Sequence, residues 1–304
     1  MVYQPEYSTN KCPEKPTNPN QYFHYSHIMF KIIRATLVFL LLLSFSKTHA
    51  QQNKKLPYTQ KGLFYFYWGY NWSAYTDSDI HFEGSDHNFT LYNVQAKDRP
   101  SKFKFDTYFN PLNFSAPQFN ARFGYFIKDN WEISVGMDHM KYVAQQYQTV
   151  NINGYFERDG DTNTFSDADQ IDLTYSFLQY EHTDGLNYIN VGLRRFFNII
   201  NKDKIDLNLI AGAETGIILP RSDVTLLKKE RSDRYHLSGY GINLTGAVNI
   251  TFFDKYFLQT ELKGGYVNMP KVLTSYEGDT ASQNFFFVQS NVLFGGYFPL
   301  FSKK

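Results

Sequence analysis

The chain has 304 residues, 42% apolar, 19% charged and 18% aromatic, with a formal net charge of +1. Ordinary soluble domains carry about 25% charge, so here aromatic rings stand where charge would be expected, as suits a surface between apolar and wet surroundings. The near-neutral balance gives no reason to expect a nucleic-acid or broadly acidic partner.

Residues 1–28 are polar and rich in Pro, Asn and Tyr, and are read as a non-native or disordered extension ahead of an alternative start at Met29. Lys31 and Arg34 then precede the apolar run Ala35 to Phe45, and Thr48-His49-Ala50 places small residues where a signal peptidase cuts. Residues 29–50 are therefore expected to be a Sec signal peptide. The run is too short to be a spanning helix, which needs about 20 residues. Cys12 is the single cysteine, so the exported chain is expected to hold no disulfide and no thiolate metal ligand.

After a polar linker at 51–61, residues 62–301 alternate with period 2, and 302–304 form a tail. Phe64, Phe66, Trp68, Tyr70 and Trp72 share one face of the first strand, with Tyr65, Tyr67, Gly69 and Asn71 on the other. Further alternating runs centre on Phe119–Ile127, Ile133–Met137, Ile189–Leu193, Leu207–Ala213, Ile242–Ile250, Leu258–Leu262 and Val288–Phe294. That predicts an all-β fold of eight strands, each long enough to cross a bilayer at a tilt. Three connections are short: 128–130, 201–204 and 253–255. They alternate with four long polar ones, roughly 76–116, 148–185, 221–235 and 271–283. Such alternation predicts an antiparallel up-and-down transmembrane barrel, with periplasmic turns and extracellular loops.

The polar faces carry Arg122, Glu132, Asp138, Arg194, Glu214, Glu261 and Lys263. A soluble β-sandwich cannot bury these in a dry core, whereas a barrel lumen lets them pair as a charge network. Eight strands leave room only for side chains, so a filled lumen is expected, with a narrow gated channel as an alternative. Trp68, Trp72, Trp131, Tyr256, Tyr297 and Phe298 are expected to form interfacial girdles.

The signal, the eight strands and the aromatic last strand FFFVQSNVLFGGYFPLF (Phe285 to Phe301) resemble the OmpA/OmpX-type small outer-membrane barrels of Gram-negative bacteria. The resemblance implies an outer-membrane location in the cell envelope, contact with membrane lipid and lipopolysaccharide, and delivery by the barrel-assembly machinery. The chain ends on Ser302-Lys303-Lys304 where such barrels end on an aromatic. A monomer without enzymatic activity or cofactor, working through its extracellular loops in a structural or surface-binding role, is the expected function.

Four groups carry alternatives. Asp159, Asp161, Asn163 and Asp167 have the alternate spacing of a calcium loop, without its turn Gly or closing Glu. Asp77, Asp79, His81 and Glu83 would share one face of an extended strand as possible metal ligands. His236 and Ser238 resemble the His-x-Ser motif of lipid A acyl hydrolases, without an orienting acid. Lys228, Lys229, Arg231 and Arg234 form a basic group suited to lipopolysaccharide phosphates.

Overall fold

The computed structural model describes residues 60–102, 117–202, 204–229, 232 and 234–299. The expected N-terminal extension, signal peptide, linker up to Thr59 and C-terminal tail lie outside the described residues, as does Arg231.

In chain order the strands are β1 (Leu63–Tyr75), β2 (Ser78–Glu83), β3 (His87–Val94), β4 (Ala96–Lys97), β5 (Phe119–Lys128), β6 (Trp131–Ala144), β7 (Thr149–Arg158) and β8 (Asp161–Phe165). There follow β9 (Gln170–Asp172), β10 (Leu178–Lys202), β11 (Ile205–Pro220), β12 (Asp223–Leu226), β13 (Gly239–Phe252), β14 (Tyr256–Leu273) and β15 (Thr280–Pro299). β1, β5, β6, β10, β11, β13, β14 and β15 pair in that order, all antiparallel, and β1 pairs with β15 to close an eight-stranded barrel. These are the eight strands read from the sequence.

The short turns follow from local chemistry. Asn130 adopts a φ of 65° between β5 and β6, a conformation Asn tolerates. Phe253 and Asp254, at 57° each, make the doubly left-handed turn that matches the twist of the β13–β14 hairpin.

Burial is inverted relative to a soluble domain. Phe66, Phe123, Val135, Val191, Ile242 and Phe294 are exposed outside, while the alternate positions are buried within. Around the short-turn end, Phe64 lies 4.6 Å from Tyr125, Phe123 lies 6.2 Å from Phe298, and Arg195 stacks over Trp131 at 5.4 Å. Tyr297 departs from the expected girdle. It shares parity with Phe287, Leu293 and Gly295 and turns into the lumen, where it is 6% exposed.

The long connections depart more. They are not open loops: 76–97 folds into β2, β3 and β4, 149–172 into β7, β8 and β9, and 223–226 into β12. β10, β14 and β15 run 25, 18 and 20 residues and continue past the apolar belt. β2, β3, β7 and β8 extend the β15 edge, and β12 pairs with β10. Ile80, Phe82, Phe89, Leu91, Val150 and Ile152 point inward against Tyr142, Tyr180 and Phe285, so the connections make a cap with its own apolar core. The polar loop tips conceal short period-2 runs that bury one face.

Candidate functional site

The lumen is stratified. At the short-turn end an aromatic floor of Tyr65, Phe126, Phe196, Phe257 and Tyr297 packs together. Tyr188, Ile218, Val267 and Phe287 lie above the middle and join the cap core. All seven charged residues read from the sequence lie between these layers, each 4% exposed or less.

They form one network. Arg122 Nη2 lies 2.9 Å from Glu214 Oε2, and its Nη1 donates to Ser134 Oγ at 2.8 Å. Arg194 contacts Glu261 Oε1 at 2.6 Å and Glu132 Oε1 at 3.5 Å, and it also pairs with Glu214. Lys263 Nζ reaches Asp138 Oδ2 at 2.8 Å and Glu214 Oε2 at 3.1 Å. The Tyr67 hydroxyl joins the groups, accepting from Arg122 and Arg194 at 3.1 Å each and donating to Glu261 at 3.0 Å. Amides complete it, with Asn120 donating to Asp138 at 2.6 Å and Asn291 to Glu261 at 3.1 Å. Such paired, hydrogen-bonded charges are tolerated in a low-dielectric interior. Gly136 makes room: a Cβ there would stand 2.5 Å from Arg122 Nη2. The arrangement ties β5, β6, β10, β11 and β14 together across the barrel.

The other predicted groups fare differently. Asp159 sits at the tip of the β7–β8 hairpin, Asp161 and Asn163 lie along β8, and Asp167 accepts from Asn153 at 2.6 Å. The hairpin displays these residues along its length, whereas a calcium loop wraps its ligands around one point. Asp79, His81 and Glu83 do share the outer face of β2, but His81 Nδ1 lies 3.0 Å from Thr90 Oγ1 and Asp79 accepts from the Asn93 amide. His236 Nδ1 stands 3.4 Å from Ser238 Oγ, yet Ser238 is 2% exposed and donates to the His236 carbonyl at 3.3 Å. Among the described residues no carboxylate bonds the His236 ring. The basic group is split: Lys229 pairs with Asp86 at 2.6 Å and Asp279 at 2.8 Å, while Arg234 lies over the Tyr276 ring at 5.6 Å.

Sequence reading missed the polar anchors of the cap, because their partners are distant in sequence. Lys229 ties the segment after β12 to the turn before β3 and the connection before β15, and His87 Nδ1 lies 2.8 Å from Asp86 Oδ1. Partial burial raises the Asp86 carboxyl, but its hydrogen bonds to Lys229 and His87 outweigh that and hold it below its usual range. Among the described residues Asp86, His87 and Asp279 are the one group whose donor atoms suit a metal, lying within 4.8 Å of one another, and the Lys229 ammonium already bridges the two carboxylates. Deeper in, His182 is fully buried; its Nδ1 lies 2.9 Å from Ser222 Oγ, and burial pushes its pKa down to about 3. Asp98 accepts from the Ser73 amide at 2.9 Å and Gln118 at 2.7 Å, and burial pushes its carboxyl up to about 6 against those bonds.

No protein-family model matches the sequence, and no curated protein does. The chain is similar to solved outer-membrane proteins at low identity. OprG of Pseudomonas aeruginosa is 8% identical, with 79% of this chain and 97% of that one covered at a TM-score of 0.37. AlkL, solved in lipid bilayers, is 10% identical, with 84% and 100% covered at 0.39. The neisserial surface protein NspA is 10% identical, with 75% and 98% covered at 0.29. The strand pairing itself makes a closed, eight-stranded antiparallel barrel with an apolar exterior and a charged interior.

Proposed function

We propose that the chain is a monomeric outer-membrane barrel protein that works as a sealed scaffold, presenting a folded cap at the cell surface for binding. The observation that carries this reading is the stratified lumen, an ionic layer held between an aromatic floor and the apolar cap core. Outside it, an exposed belt of Phe, Ile, Leu and Val suits lipid. A closed ring has no free edge in the membrane, so a single copy satisfies its own backbone. Lys228 and Arg234 are the basic residues we assign to lipopolysaccharide phosphates, with Lys229 committed to the cap. The barrel-assembly machinery is the expected route of insertion, and no cofactor is assigned.

Fractionation, gel mobility and conductance test the reading. The protein should sediment with outer membranes, change mobility on heating, and stay silent in planar bilayers. Steady single-channel currents would overturn the sealed lumen in favour of a narrow gated channel. The lipid A hydrolase reading has the His236–Ser238 contact behind it, but the buried Ser238 donates to backbone, which leaves it poorly placed as a nucleophile.

A further inference from the structure

The outer leaf of the cap is a continuous sheet in which β15, β2, β3, β7 and β8 lie side by side. Alternation sends its apolar residues inward, and the register sorts the outward set into rows. One row runs Ser282, His81, Thr90 and Asn153. The next runs Thr280, Glu83, Asn88, Tyr155 and Thr164. A third joins Tyr92, Asn151 and Gln170, with β9 supplying the last. These rows hold no Lys, no Arg and no aliphatic side chain.

A solvated sheet face needs mixed charge for solubility, and Lys is its usual edge guard. This face instead offers planar amides, hydroxyls and carboxylates, groups that give and take paired hydrogen bonds. It also offers two tyrosines, rigid plates that add contact area at low entropic cost. Tyr92 and Tyr155 stand four register positions and one strand apart, or roughly 14 Å at ordinary strand spacings. Between them lie Thr90 and Asn153. That layout matches the face of a short sugar chain, whose C–H surfaces seek flat rings and whose hydroxyls seek amides.

Several of these side chains are already fixed. Asn153 donates to Asp167 at 2.6 Å, Gln170 to Asn151 at 3.2 Å, and Thr149 to Asp172 at 2.6 Å. Groups held before binding lose less freedom when a ligand arrives. The charge is one-sided: Glu83 stands within a row, Asp79, Asp167 and Asp172 border the rows, and Arg158 stands at the hairpin tip. Such a field repels anionic polymers.

We propose that this face binds a glycan chain that bears no negative charge. The inference rests on the preceding reading in one respect, that the cap projects from the cell surface. Its test is biolayer interferometry of the full chain in nanodiscs over immobilised dextran, mannan and xylan, with dextran sulfate as the anionic counterpart. Binding is expected to at least one neutral polymer and not to dextran sulfate. Tyr155→Ala and Tyr92→Ala should each weaken it at least about tenfold, while Tyr155→Phe stays within about threefold. Thr164→Arg, which removes no buried contact, should also weaken it. Every variant is checked for the wild-type mobility change on heating. The proposal falls if no neutral polymer binds, if dextran sulfate binds as well, or if folded alanine variants bind like wild type. A wild-type chain with no heat-dependent mobility would instead sink the barrel reading, so the two failures are distinct.

Discussion

Replacing Arg194 by methionine removes one of the three cations that face four carboxylates in the lumen. Methionine keeps much of the apolar stem, so the change is chiefly one of charge. Glu261 loses a contact of 2.6 Å and Glu132 one of 3.5 Å, and the Tyr67 hydroxyl loses a donor. Lys263, 4.0 Å from Glu261, is already committed to Asp138 and Glu214. Deleting one partner of a buried ion pair costs about 3–5 kcal/mol, because the other charge stays desolvated. Taking about 4 kcal/mol and a urea slope of about 2 kcal/mol per molar, the unfolding midpoint should fall by about 2 M. The assay is equilibrium unfolding of vesicle-inserted protein followed by Trp fluorescence. Adding Glu261→Gln should restore part of the loss, since neighbours in one network are not additive. A midpoint within about 0.3 M of wild type for Arg194→Met would refute the view that this network is desolvated and mutually dependent.

Other expectations concern the cap. The folded pKa of His182 is depressed from 6.5 to about 3, so its contribution is complete above pH 6.5 and drains as pH falls toward 3. At pH 5 about 2 kcal/mol should be gone, read as faster limited proteolysis of the cap and abolished in His182→Gln. Asp98 has the opposite sign, because its folded pKa is raised from 3.8 to about 6. It favours the folded cap as pH falls from 6 to 4, so the His182 effect is best measured in Asp98→Asn protein. Lys229→Met should expose the segment after β12 to protease while leaving the heat-dependent mobility of the barrel intact; unchanged cleavage would count against the Asp86–Lys229–Asp279 anchor. Ser238→Ala should leave lipid A acylation as in wild type when measured by mass spectrometry, and an altered profile would revive the hydrolase reading.

The barrel strands were legible because one face of each meets lipid and the other a polar lumen, and period 2 records that contrast directly. Arg122, Glu132 and Lys263 could be assigned inward by parity alone, whereas their partners depended on side-chain reach across the barrel. The cap was less legible. Ile80 and Phe82, Phe89 and Leu91, and Val150 and Ile152 alternate correctly, but each run is two or three apolar residues long amid Asp, Asn and Thr. Such short runs become strands only when several stack to bury a shared core, a condition one-dimensional pattern does not carry. Lys229 and Asp86 lie 143 positions apart, and nothing local in either marks the other. Tyr297 shows the limit of composition: an aromatic near a strand end suits either a girdle or a floor, and only its parity with Leu293 decides.

The β1–β15 seam joins Leu63 to Pro299 and Tyr75 to Phe287, nearly the full length of the described chain apart. Contacts of such separation are the slowest to form, since the whole intervening loop must be ordered first. Until the seam shuts, the inner wall with Arg122, Arg194 and Lys263 is an open sheet rather than a lumen. Entering hydrocarbon in that state would strand unpaired ions and a ladder of bare amides in lipid. Insertion and ring closure must therefore advance together. β15, the barrel strand furthest along the described chain, is the one that lets β1 cross the membrane.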